Sequence, residues 1–138
     1  MAGALPVRYH GHACVSLVLD GSRWILDPFA SPLFDGRFTY PLPRGPFDVA
    51  VCSHPHADHA HIGPHLGQPR VANQASQIGR VSLRFVPTAH DPHGGVYLGE
   101  SRMIVLAAPE GLIVHAGDLG EMPSSAVRDA IGRPDLLL

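Results

Sequence analysis

The run "FDVAVCSHPHADHAH", Phe47 to His61, carries the reading of this chain. Its first half, "VAVC" after Phe47-Asp48, is a continuous apolar run of strand length. That pattern marks a strand buried on both faces. The strand then delivers the chain into four histidines and one aspartate within nine positions, Ser53 to His61. Histidine is the commonest protein metal ligand and the usual acid-base residue near neutral pH. His54 and His56 lie two apart on an extended segment, so both rings can project to one side and grip one cation. A tight turn through Ala57 then presents Asp58 and His59 to a second position nearby. Imidazole and carboxylate suit zinc and similar divalent ions. The cluster holds no cysteine beyond Cys52, which argues against a closed structural zinc site.

Two further candidates stand where strands hand over to loops. His90 follows "RVSLRFVP" in "TAHDPHGG", and Asp118 follows "GLIVHAG" in "HAGDLG". A carboxylate flanked by glycines can bridge two cations at little steric cost. The candidate set is therefore His54, His56 and His90 for one metal, Asp58 and His59 for a second, and Asp118 between them. An open coordination position for water makes such a centre catalytic, and two ions can bracket the attacking and leaving atoms.

Working outward, short β-type runs recur between Gly, Pro and Asp punctuation. In "VRYHGHACVSLVL" Val15, Leu17 and Leu19 alternate with Ser16, Val18 and Asp20, and "RWILDP" stops at Asp27-Pro28. A loop of Pro, Gly and aromatics spans Phe29 to Pro46. "HIGPHLG" has room for one helical turn. "PRVAN" and "RVSLRFVP" read as strands, and "NQASQIG" between them reads as a short helix with Asn73 as cap and Gly79 as stop. "RMIVLAA" and "GLIVHAG" form a hairpin about Pro109-Glu110-Gly111. "MPSSAVRDAIG" has helix grammar: Ser124 or Ser125 as N-cap, Val127 and Ile131 four apart, Gly132 as stop. "PDLLL" begins another strand. Strands first, then strands mixed with helices, imply a layered α/β or α+β domain.

The chain has 138 residues, 45 % of them hydrophobic and 16 % charged, which suits one globular domain with a real core. The net charge of −2 and the scattered basic residues, all arginine, show no nucleic-acid stripe. No segment reads as a signal peptide or membrane span. Cys14 and Cys52 sit in apolar segments and read as small buried hydrophobes in a reducing cytoplasm. His61 and His65 read as surface or capping residues. His10 and His12 flank Gly11. His12 is either a packed turn residue or a neighbour of the metal site that contacts substrate or supports a ligand. His93 reads as an exposed loop residue or a substrate-side group, and His115 as a hydrogen-bonded strand residue rather than a ligand. Asp27 is either a turn-forming Asp-Pro or a carboxylate that orients a ligand histidine.

"HPHADH" at His54 to His59 closely resembles the His-x-His-x-Asp-His motif of the metallo-β-lactamase superfamily, with His90 and Gly117-Asp118 following in the family's order. "YHGHACVSL", "WILDPF", "HDPHGG" and "HAGDLG" resemble the branch that contains ascorbate-phosphate lactonase and related uncharacterised metal-dependent hydrolases. The resemblance runs from about Val7 to Leu138. It implies an α+β fold, the αββα sandwich, here as its first half and the start of its second. One domain over residues 1–138, incomplete at its C-terminus, is expected. The family also places a further histidine downstream of the bridging aspartate, and none follows His115 here. The resemblance implies Zn2+ as cofactor, one or two ions, with Mn2+ or Fe2+ as alternatives. It implies a metal-activated hydroxide acting on an ester, lactone, amide or phosphodiester, with Asp58 as the catalytic carboxylate. Expected partners are a small-molecule substrate, no nucleic acid, no membrane, and a second copy covering the exposed sheet. The alternative is a non-catalytic, truncated metal-binding remnant that self-associates.

Overall fold

A computed structural model describes residues 4–138. Its contacts divide into two compact units, the first ending at Asn73 and the second running Gln74–Leu138.

The first unit is a mixed five-stranded sheet in chain order: β1 (Val7–Gly11), β2 (Cys14–Leu19), β3 (Ser22–Leu26), β4 (Val49–Val51) and β5 (Arg70–Val71). The run "VRYHGHACVSLVL" is two strands, not one. They pair antiparallel and turn at His12-Ala13, with a register shift between Tyr9 and Gly11. Gly11 is required there: its φ is +111°, and a Cβ would lie within 3 Å of the Tyr40 ring. The alternation read along β2 holds, since Val15, Leu17 and Leu19 are buried while Ser16 and Val18 are half-buried. β4 is buried at all three residues, as its apolar run requires, and pairs parallel to β3 and β5. Between β4 and β5, "HIGPHLG" makes a single 3-10 turn, Pro64–Leu66. The aromatic loop before β4 has one isolated bridge, Leu33 to Phe38. Its Phe29, Phe38 and Phe47 join Cys14, Ile25, Ala50 and Leu66 in a core cluster. Burial of this apolar surface, at roughly 25 cal/mol per Å2, is what holds a loop with so little backbone pairing. Both cysteines are free; Cys14 is fully buried and Cys52 half-buried. Burial, helped by the nearby Asp27 and Cys52, pushes the Cys14 thiol well above the ordinary thiol range.

The second unit is also a mixed five-stranded sheet, ordered β10 (Leu136–Leu137), β9 (Gly111–His115), β8 (Glu100–Ala108), β7 (Val81–Ala89), β6 (Ser76–Ile78). β8 and β9 form the expected hairpin, closing at Ala108 and Gly111. β10 pairs parallel to β9. "NQASQIG" is not a helix: Ser76–Ile78 is a strand paired antiparallel to β7. Gly79 opens a two-residue turn at φ +58° instead of stopping a helix. A strand edge offered by β7 satisfies these backbone groups better than a turn of helix with only Ala75 and Ile78 apolar could.

The helix α1 (Ser125–Ile131) has the expected grammar. The Ser124 hydroxyl accepts the Val127 N–H, and the Gly132 N–H caps the Arg128 carbonyl. Ile131 and Val127 lay one face on Val86, Met103, Val105 and Val114. Seven residues are too few for a stable isolated helix, so this packing is what holds it. No helix of the described residues is long and apolar enough to cross a membrane.

Candidate metal centre

Immediately after β4 the chain leaves the sheet and folds back on itself. The His59 N–H donates to the His56 carbonyl at 2.9 Å, which forms the turn expected through Ala57. The loop is pinned to the segment after β3 by Ala30 N–H to the Ala57 carbonyl and His61 N–H to the Pro28 carbonyl, both 2.8 Å. Four of the predicted residues are gathered in this unit. The His54 ring lies 4.5 Å, centroid to centroid, from His56 and 4.2 Å from His59. His59 Nε2 lies 3.4 Å from Asp58 Oδ2. His54 and His59 are buried, whereas His56 and Asp58 are half-buried.

Beneath these residues sits Asp27, fully buried at the end of β3. Its Oδ1 accepts the Ser53 N–H at 2.6 Å, and its Oδ2 accepts the Ser53 hydroxyl at 2.6 Å. Oδ2 also accepts from His59 Nδ1 at 2.7 Å. Ser53 Oγ, having given its proton to Asp27, accepts from His54 Nδ1 at 2.8 Å. The tautomers follow from this network: both rings carry their proton on Nδ1, which makes Nε2 the acceptor nitrogen of each. Asp27 is therefore an orienting carboxylate and not a turn former alone. It groups spatially with His54 and His59, but its oxygens are engaged by Ser53 and His59.

His12 also enters the site. Its Nε2 lies 2.9 Å from Asp58 Oδ2 and 3.1 Å from His59 Nε2. Of the two readings open for it, neighbour of the site is the one observed. His10 faces away, bonded to Ser16 Oγ at 2.8 Å. Partial burial, and then Arg8, hold its imidazole below the ordinary range. His61 and His65 stack on each other at 5.2 Å.

In the second unit, His90 and Asp118 come together, Nε2 to Oδ2 at 3.0 Å. Asp118 N–H donates to Ser101 Oγ at 3.3 Å, and Gly117 N–H to His115 Nδ1 at 3.1 Å. His115 thus spends one ring nitrogen on the backbone. Gly120 has no room for a Cβ, which would lie within 2.5 Å of the Asp91 and His90 backbones.

Asp91 has no role in the sequence reading. It is buried, and its carboxylate accepts four backbone N–H groups: His93 and Gly95 on Oδ1, Tyr97 and Leu98 on Oδ2. The Leu98 amide contributes most to lowering its pKa, burial opposes, and the His93, Tyr97 and Gly95 amides add to the lowering, leaving it at about 2. The signal was an Asp-Pro followed by two glycines, the composition of an Asx turn. The loop so built carries His93 against Tyr97 at 5.1 Å and exposes Val96, Tyr97 and Leu98.

Against known proteins, a family model described as a beta-lactamase superfamily domain matches residues 6–138. A UPF0173 metal-dependent hydrolase of Enterococcus faecalis is 28 % identical over 141 residues, covering 79 % of this chain and 61 % of that protein. This chain thus spans about three fifths of that relative's length. Among solved structures, a candidate Zn-dependent hydrolase of the metallo-beta-lactamase superfamily from Thermotoga maritima superposes with TM-score 0.72 at 28 % identity. The match covers 97 % of this chain and 60 % of that one. A diiron β-hydroxylase from Streptomyces venezuelae shares the fold, TM-score 0.63, at 20 % identity over 96 % of this chain and 34 % of its own. One fold thus serves different metal chemistries, and function has to be argued from the site.

Proposed function

The chain belongs to the metallo-beta-lactamase superfamily, and we propose from that premise that it is a metal-dependent hydrolase of small-molecule esters, lactones, amides or phosphodiesters. It is related to the UPF0173 metal-dependent hydrolases. The finer placement, beside ascorbate-phosphate lactonase, is part of the proposal. So are zinc as the resident ion, with Mn2+ or Fe2+ as alternatives, a cytoplasmic setting and self-association.

The observation that carries the reading is the Asp27 network. A buried carboxylate that fixes two histidines as Nδ1–H tautomers is the arrangement that metal-ligating histidines commonly have. Asp27 does this for His59 directly and for His54 through Ser53. The residues therefore fit a divalent cation, and the donor set of imidazole and carboxylate suits zinc or a similar ion.

In this reading His54, His56 and His90 would hold one cation and Asp58 and His59 a second, with Asp118 as a further carboxylate ligand. That division rests on motif order and donor chemistry. When bound, such ions lower the pKa of water to about 7 and stabilise negative charge developing on a substrate oxygen. The chain's own residues do the rest. Asp58, at the half-exposed side of the cluster, orients the attacking water and takes its proton. Asp27 and Ser53 hold the rings of His59 and His54 in register.

The test is to strip the protein with a chelator and reload it with Zn2+, Mn2+ or Fe2+ singly. Metal content after desalting is then compared with hydrolysis of a panel of the four substrate classes, before and after chelation. Retained metal with chelator-sensitive turnover is the expected result. About one ion per chain with no turnover would favour the non-catalytic, self-associating reading. Failure to retain any ion would overturn both.

A further inference from the structure

We propose that His12 is a direct protein ligand of the cation held by Asp58 and His59. This deepens the metal-dependent reading above and rests on it.

Three atoms converge: His12 Nε2, His59 Nε2 and Asp58 Oδ2. Their separations are 2.9 Å, 3.1 Å and 3.4 Å. Around a tetrahedral zinc with bonds near 2.0–2.2 Å, ligand atoms stand roughly 3.3 Å apart. The triangle already has nearly the size that one cation needs. Two ring nitrogens at 3.1 Å require a proton between them, because two lone pairs repel. His59 has committed its Nδ1 proton to Asp27, so the shared proton belongs to His12 Nε2. A divalent cation in that place would take over from that proton: with His12 in its Nδ1–H tautomer, three lone pairs face the ion at once.

His12 sits at φ +53° in a two-residue turn, next to Gly11 at φ +111°. The ring is held in place: the Phe38 ring meets it edge-on at 5.2 Å. The side chain remains 32 % exposed, against 15 % for Asp58 and 0 % for His59. The triangle thus has a closed back at His59 and an open front at His12, as a cation that must also meet water requires.

The 138-residue chain, stripped of metal, is titrated with Co2+ as a spectroscopic substitute for zinc, and binding is followed by calorimetry and visible absorption. Three proteins are compared: the unaltered chain, His12→Ala and His12→Cys, each checked for folding by circular dichroism. For His12→Ala, the Co2+ bound at this position weakens by at least about 100-fold, beyond the 10–100-fold typical of an outer partner. Its visible bands change as well. In His12→Cys a sulfur-to-cobalt charge-transfer band appears that the unaltered chain, with its own two cysteines, lacks. Only a residue in contact with the ion produces that band, so a folded His12→Cys decides the matter even where His12→Ala fails to fold. Normal Co2+ binding in the unaltered chain with neither change would overturn the role of His12 and leave the metal reading standing. No Co2+ binding in the unaltered chain would overturn both.

Discussion

Asp27 in the first unit and Asp91 in the second are the same device put to different uses. Each is a buried carboxylate surrounded by donors. Asp91 spends its acceptors on four main-chain amides of one loop, so it builds backbone. Asp27 also takes a main-chain amide, but its second oxygen serves Ser53 Oγ and His59 Nδ1. Through them it decides which nitrogen of two rings carries the proton. The contrast separates a carboxylate that shapes a loop from one that orients two histidine rings, although sequence composition presents both as Asp-Pro turns.

The largest effect is expected at Asp27. Asp27→Asn should lower Zn2+ affinity by about 10–100-fold, because the amide cannot accept from all its present donors. Asp27→Ala should in addition leave the Ser53 and His59 donors buried without an acceptor, each at about 1–3 kcal/mol. Competition against a chromophoric chelator and urea midpoints measure the two effects, and unchanged affinity in a folded Asp27→Asn would erase the distinction. Ser53→Ala comes next. It removes the relay to His54 and leaves the Asp27–His59 bond, so affinity should fall about tenfold and stability by about 1–2 kcal/mol.

Asp91→Asn should act on the loop. Exchange of the His93, Gly95, Tyr97 and Leu98 amides should speed by about tenfold or more, read by hydrogen exchange. Acid provides a second handle. The carboxylate is held at about 2 against an ordinary 3.8, so its contribution is complete above that ordinary value and is lost as pH falls through about 2. Amide protection in this loop should follow that course, and Asp91→Asn should abolish the dependence. Smallest is Ser124→Ala, which removes the α1 cap for about 1 kcal/mol. Zn2+ affinity should not move; if it does, the helix contributes to ligand placement in a way the comparison does not include.

Much of this was legible from residue order. The alternation along β2, the apolar β4 and the Ser124–Gly132 frame of α1 all announce themselves locally. So does the histidine cluster, because its residues stand close together in the chain directly after a buried strand. What escaped depends on partners distant in sequence. Ser76–Ile78 becomes a strand only because β7 offers an edge. Asp91 matters through amides, which no residue type advertises. Asp27 and His12 could be flagged as candidates, but their roles depend on contacts 32 and 46 residues away.

Cys14 gives the first unit a built-in clock. Its sulfur is wholly enclosed beside Ile25 and Phe29 and resists ionisation, so an alkylating reagent reacts with it only when this core parts. The rate at which that one peptide gains mass, set against half-exposed Cys52, times the opening of the core in undenatured protein. Adding and withdrawing a divalent ion during such labelling would show how much slower that clock runs when the histidines are engaged.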